Sequence, residues 1–320
     1  MDKQISSVSI SGRLTLDLHS LNNEGAEGNQ LQTRMVHIVD GEGSLQVVNA
    51  ISGDMFKHIQ AEHFQEVAKE AGLPLCAGCQ VFDANRINAD TAFFDNLTDG
   101  NEGTIDQVLG RCAMDDAEGI LITQGNRSTP RKSCVEFGWV VGLPQVTRTE
   151  SYFHVKYDPR ERGAGSGSET GANVGQNIFY RPASSGVYAV VTQVEASRVG
   201  FNDISREYAV EEDDRKKRIK ALMESVTYSF LEPKGAHRNA QNPHILGFEG
   251  VVSVSRSSMP APTASALADG YVEEVEAVAA QLNRLRPDAI QTFRFGSQSE
   301  FAQTMTDLIE EAENEAGVPA

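Results

Sequence analysis

The chain has 320 residues, 40% of them hydrophobic, with 45 acidic against 28 basic side chains and a formal net charge of −17. No window approaches the roughly 18 apolar residues of a membrane span, the opening MDKQISSVSIS lacks a signal-like apolar core, and four cysteines do not make a disulfide framework. A cytoplasmic protein with no membrane partner is therefore expected, and the acidic average argues against a nucleic-acid partner, although phosphate contacts need only local positive charge.

Val8, Ile10, Leu14, Leu16 and Leu18 alternate with polar residues and predict a half-buried strand over residues 5–19. A polar loop follows to about Thr33, and around it stand His19, Asn22, Asn23, Asn29, Gln30 and Arg34. That is more hydrogen-bonding capacity than a turn requires, although a long structural loop would also use Asn and Gly. A strand over 35–40 precedes a helix over 54–71, capped by Ser52 or Asp54 and striped with Phe56, Ile59, Phe64, Val67 and Ala68. Lys57 and His58 lie in its first two turns, where free backbone amides favour phosphate. A solvated face with a partly buried His is the plainer explanation of the pair.

Residues 72–142 break the pattern and read as an insertion. Cys76 and Cys79 have metal-ligand spacing, but one CxxC is half a zinc site and no second CxxC or HxH completes it. Cys112 and Cys134 lie in apolar runs where buried thiols are common. No metal and no cofactor are expected, with zinc at Cys76 and Cys79 the weaker alternative. A strand over 151–156 leads through Lys156, Arg160 and Arg162 into a Gly/Ser run, 163–175, with Arg148 just upstream; a strand over 177–194 follows. The run alone is a flexible linker. A helix over 204–231 ends before Lys234, Gly235, His237 and Arg238. Gly235 is an expected helix stop, and the basic residues around it are denser than a stop needs. A strand over 246–255, a Pro/Ser connector over 257–264, a helix over 271–284, a strand over 289–294 and an acidic helix over 299–315 complete the chain. Without insertions the order is β-α-β-β-α-β, an α+β ferredoxin-like or RRM-like palm.

Several blocks, in order, resemble the DevR-type CRISPR-associated proteins of the repeat-associated (RAMP) superfamily, which form the backbone of type I Cascade; the I-B branch is the nearest in kind. They are SGRLTLDLHSLNNEGAEGNQLQTR (11–34), SGDMFKH (52–58), residues 112–121, SCVEFGWVVG (133–142), YRPASSGVYAVV (180–191), RVGFN (198–202) and GAHR (235–238). The resemblance implies the first half of a palm over 1–71, a fingers-like insertion over 72–150 and a hairpin with a thumb-like tip over 151–195. The second half of the palm follows over 196–256, and a C-terminal extension over 257–320. It implies RNA contacts by His19, Asn22, Asn23, Asn29, Gln30, Arg34, Lys57, His58, Arg148, Lys156, Arg160, Lys234, His237 and Arg238. The implied partners are the CRISPR guide RNA (crRNA), the target DNA strand, further copies of the chain and other Cascade subunits, with no catalysis by this subunit. Two alternatives stay open: a RAMP endoribonuclease, for which Asp54 is the positional candidate, and a transcriptional autoregulator.

Overall fold

The computed structural model describes residues 4–22, 25–28, 30–98, 100–124, 127–157, 176–235 and 241–314. The alternating run forms β1 (Ser7–His19), with Val8, Ile10, Leu14 and Leu16 wholly buried on one face. Two-residue strands β2 (Ala26–Glu27) and β3 (Gln30–Leu31) occupy the polar loop, and β4 (Met35–Val39) and β5 (Leu45–Ile51) make a hairpin. Helix α1 (Gly53–Glu70) starts where the Met55 N–H donates to the Ser52 hydroxyl at 3.2 Å, so Ser52 is the cap and Asp54 is left in the first turn.

The insertion folds into short pieces: α2 (Ala77–Gln80), a 3-10 turn at Arg86–Ala89, α3 (Thr91–Phe94), α4 (Asn101–Arg111), α5 (Ala113–Glu118), β6 (Ile120–Ile122), β7 (Thr129–Arg131) and β8 (Val135–Phe137). Two long strands, β9 (Val140–Tyr157) and β10 (Gln176–Val194), follow. Strand β9 begins eleven residues before the expected 151. Pro144 masks its start, and the register slips there: Gly142 faces Tyr188 while Thr147 faces Gly186. In such a bulge a proline's missing N–H costs nothing, and Gly186 (φ 152°) supplies a backbone conformation closed to side chains.

Beyond β10 come β11 (Phe201–Asn202), β12 (Glu207–Tyr208), α6 (Glu212–Leu231), β13 (His244–Ser255), α7 (Tyr271–Asn283), β14 (Ile290–Phe295) and α8 (Gln298–Asn314). Helix α6 starts at 212 rather than 204, because Glu212, Asp213 and Asp214 suit the positive end of a helix and residues 201–208 pair as a small ribbon.

The main sheet runs β14-β13-β1-β10-β9-β5-β4, antiparallel at every step. Helices α1, α6 and α8 pack on one face. Phe230 of α6 meets Phe56 of α1 at 5.6 Å, Phe248 of β13 at 5.0 Å and Phe301 of α8 at 5.8 Å, so a single side chain joins four elements. The opposite face carries small polar residues because chain 257–270 lies flat upon it. Ser9 and Ser253 donate to the carbonyls of Ala261 and Pro262, Ala264 N–H donates to Ser11, and Arg13 donates to the Ala266 carbonyl. Residues after 257 thus cover the sheet, lengthen it and fill its core.

Candidate nucleic-acid interface

The loop after β1 is more structural than its composition implies. The His19 ring is buried, with Nε2 2.7 Å from the Tyr188 hydroxyl, which donates to Asn49 Oδ1 at 2.9 Å. Asn49 Nδ2 donates in turn to Thr33 and to the Arg34 carbonyl, both at 3.0 Å. Since the tyrosine proton is committed to Asn49, the imidazole donates from Nε2. Burial pushes its pKa down to about 4, so it stays neutral. The expected RNA contact at His19 is therefore corrected: this residue pins the end of β1 from inside. Asn22 is likewise engaged, its Nδ2 donating to the Ala50 carbonyl at 2.6 Å and its Oδ1 accepting from Ser52 N–H at 3.2 Å. Asn23 and Asn29 lie outside the described residues. Gln30 is exposed on β3, and the Arg34 guanidinium stands over the exposed Trp139 ring at 5.4 Å.

Of the loop after α6, Lys234 is mostly covered and its Nζ lies 2.8 Å from Glu66 Oε2 of α1, so its charge is already matched. Gly235 presses on the first loop: a Cβ there would sit 2.6 Å from the Leu21 Cα. The two loops expected to share a ligand thus touch, although His237 and Arg238 lie outside the described residues.

Lys57 and His58 line a cleft of about 280 Å³ at the start of α1. Asp54 and Lys57 come from α1, Phe82 and Arg86 from the turn after α2, and Met114 and Glu118 from α5. His58 is exposed, with its ring 5.4 Å from that of Phe82. Phe82 (φ 57°) and Arg86 (φ 50°) both take left-handed backbone, which costs a side-chain-bearing residue about 1–2 kcal/mol. The turn is held against α1 by Gln65 Nε2, which donates to the carbonyls of Cys79 and Gln80 at 2.8 and 3.0 Å. Burial lowers the Lys57 pKa, opposed by the Glu118 charge. Glu118 is buried with no close hydrogen bond to either carboxylate oxygen, and burial raises its pKa against the pull of Lys57, Arg86 and the nearby Gln60 amide. Two cations, an aromatic face and an unsatisfied carboxylate can hold a charged, stackable ligand.

The β9–β10 ribbon supplies the third surface. Past Arg148 and Ser185, β9 bonds among the described residues only to β10, which itself meets β1 at Ser184 and β3 at Tyr180. Tyr152 and Phe153 are neighbours, so they point to opposite faces, yet both are exposed, as is Tyr180. Among the described residues this arm is uncovered on both sides. Arg148 is exposed, with Nε 3.0 Å from Glu150. Lys156 pairs through its backbone with Asn177; its side chain, Arg160, Arg162 and the Gly/Ser run lie outside the described residues.

A family model described as "CRISPR-associated negative auto-regulator DevR/Csa2" matches residues 10–276. The chain belongs to the DevR/Csa2 family. A curated relative from Methanocaldococcus jannaschii, described as CRISPR-associated protein Cas7/Cst2/DevR, is 26% identical over 323 residues, spanning 94% of this chain and 96% of that one. A chain from a solved pre-nicking CRISPR RNA-guided surveillance complex matches with a TM-score of 0.50 at 14% identity, covering 94% of this chain and 100% of the other. A chain from another such complex gives 0.48 at 14% identity, over 96% and 99%. At that identity the likeness concerns the fold. No helix among the described residues of this DevR/Csa2 chain is long and apolar enough to cross a membrane.

Sequence reading missed Trp139, Phe82, Arg86 and Glu118, which are local to nothing but the folded cleft and loop. Nor are all of the chain's arginines displayed to solvent. Arg131 and Arg218 are buried against Asp116, and Arg215 lies buried with its Nε donating to the Val199 carbonyl, so none of them is offered to phosphate. The residues able to hold a metal lie behind the cleft: Cys76 and Cys79 are joined there by Cys112 and Asp115, all buried. Cys134 lies apart, beside Arg131.

Proposed function

We propose that this DevR/Csa2 chain is the non-catalytic, guide-RNA-binding backbone subunit of a type I CRISPR surveillance complex. Copies of it stack along the spacer and support pairing with a target DNA strand alongside other Cascade subunits. In this reading β1, α1, β9, β10, α6 and β13 are the palm. Their spatial order β13-β1-β10-β9, with both helices on one face, supports a ferredoxin-like or RRM-like unit. Because chain 257–270 covers the sheet face on which RNA-recognition modules stack bases, RNA contact falls to the loops, the α1 cleft and the arm. The observation that carries the reading is the two-faced, aromatic β9–β10 arm, a surface that no other described residue covers and of the kind that marks an interaction site. Such stacking makes open, head-to-tail contacts, and phosphate contact without base readout leaves specificity to pairing.

The test replaces Arg34, Lys57 and Arg238 together by Ala in the full chain. Guide binding should weaken equally for unrelated spacers, and the salt slope should fall by roughly 0.7 for each phosphate that is no longer neutralised. An unchanged slope would sink the assignment, and weakening for one spacer alone would indicate base readout. Metal-dependent RNA cleavage that disappears in Asp54→Ala would favour the endoribonuclease alternative instead.

A further inference from the structure

We infer that Cys76, Cys79, Cys112 and Asp115 form a buried structural site for one tetrahedral divalent metal, zinc by its chemistry. The sulfur and oxygen atoms of these four residues all lie within 4.8 Å of one another. Two edges of the set can be compared with theory: Asp115 Oδ2 stands 3.3 Å from Cys76 Sγ and 3.6 Å from Cys79 Sγ. A tetrahedral zinc with its usual bond lengths of roughly 2.3 Å to sulfur and 2.0 Å to oxygen sets each S···O edge at about 3.5 Å.

The local structure is built twice. Cys76 caps α2 and accepts the Cys79 N–H at 3.4 Å; Cys112 caps α5 and accepts the Asp115 N–H at 3.4 Å. A C-x-x-C turn and a C-x-x-D turn, 36 residues apart, therefore present their ligand pairs to one point. They are brought there by Ala113 N–H, which donates to the Pro74 carbonyl at 2.8 Å. Without a metal the arrangement is poorly satisfied. Asp115 is fully buried, its Oδ1 has no hydrogen-bond partner, and the nearby cation, Arg86 Nε, is 3.9 Å away. Three thiolates and a carboxylate suit zinc over the hard cations, and four protein ligands make a closed site of the structural type.

Such an ion would tie the turn carrying Phe82 and Arg86 to the helix carrying Met114 and Glu118, two walls of the cleft. The metal site stands whatever the cleft binds. Full-length protein purified without chelator should carry one zinc per chain by elemental analysis. Reduced, metal-free protein titrated with Co²⁺ should give the thiolate charge-transfer band and the strong visible bands of a tetrahedral ion, saturating at one equivalent. Cys76→Ser with Cys79→Ser should lose both signals, while Cys134→Ser, the buried thiol outside the cluster, should keep them. Wild type without zinc and with only a weak octahedral cobalt spectrum would overturn the site, whether or not the double variant folds. So would equal metal loss in Cys134→Ser.

Discussion

Asp116 and Glu118 sit two residues apart on α5, both shut away from water, and their surroundings could hardly differ more. Asp116 accepts from Arg131 at 2.7 Å, from Arg218 at 2.9 Å and from the Gly200 N–H at 2.9 Å. Those partners come from β7, from α6 and from the chain before β11, so one carboxylate ties α5 to three separate segments. Glu118 faces the cleft with no close hydrogen bond to either oxygen, held by the charges of Lys57 and Arg86 and the nearby Gln60 amide. A saturated buried charge marks structure. An unsatisfied one beside a cavity marks a place where something else completes the set.

The largest way to break that contrast is Asp116→Ala. It strands two buried guanidinium groups, and truncating one partner of a buried network costs about 3–5 kcal/mol. Urea unfolding should show a loss of that size, and a loss below about 1 kcal/mol would mean water replaces the carboxylate easily.

A buried base with satisfied Nε2 gives the next effect. His19, held near pKa 4, stays neutral in the folded chain, whereas in the unfolded chain it takes up a proton near its ordinary 6.5. Its contribution is therefore present above 6.5 and lost as pH falls toward 4, reaching about 2 kcal/mol at pH 5. His19→Gln should remove that loss, seen as a smaller fall in unfolding midpoint between pH 7 and pH 5 than in wild type.

Glu118→Gln should give the smallest change and the opposite sign. The folded carboxyl keeps its proton to higher pH than the unfolded one, so its penalty grows as pH rises through that window. Removing the charge should stabilise the protein at pH 8 and hardly at all at low pH, read from the unfolding midpoints at the two pH values. A destabilisation at pH 8 would show that the ion pair with Lys57 outweighs burial.

How far the sequence could be read follows from the range of the interactions. The period-2 run of β1 and the Ser52-capped stripe of α1 are local, and both were legible. Pro144 hid the first eleven of the eighteen residues of β9 because a bulge leaves no periodic trace. The amide-rich loop announced hydrogen bonding correctly, yet His19 and Asn22 spend theirs inward on Tyr188, Ala50 and Ser52, which composition cannot distinguish from outward display. Cys76 and Cys79 showed half a ligand set. The other half lies 36 residues on, and its Asp115 is a residue type that a search for paired cysteines passes over. Nothing local in the sequence tells that Arg131 and Arg218 are buried on Asp116, which comes to both from another element.

Strand β1 is made first and sits in the middle of the sheet, but its two neighbours are residues 176–194 and 244–255. A ribosome adding about 5–20 residues per second needs on the order of ten seconds or more to deliver even the nearer one. Through that interval Val8, Ile10, Leu14 and Leu16 have no sheet to join, and chain 257–270, which seals the other face, arrives later still. Synthesis of this protein thus leaves its central strand waiting, and the sheet closes only as the final fifth of the chain emerges. Its folding is expected to be slow, dominated by long loop closures, and dependent on keeping that first strand from pairing with another nascent chain.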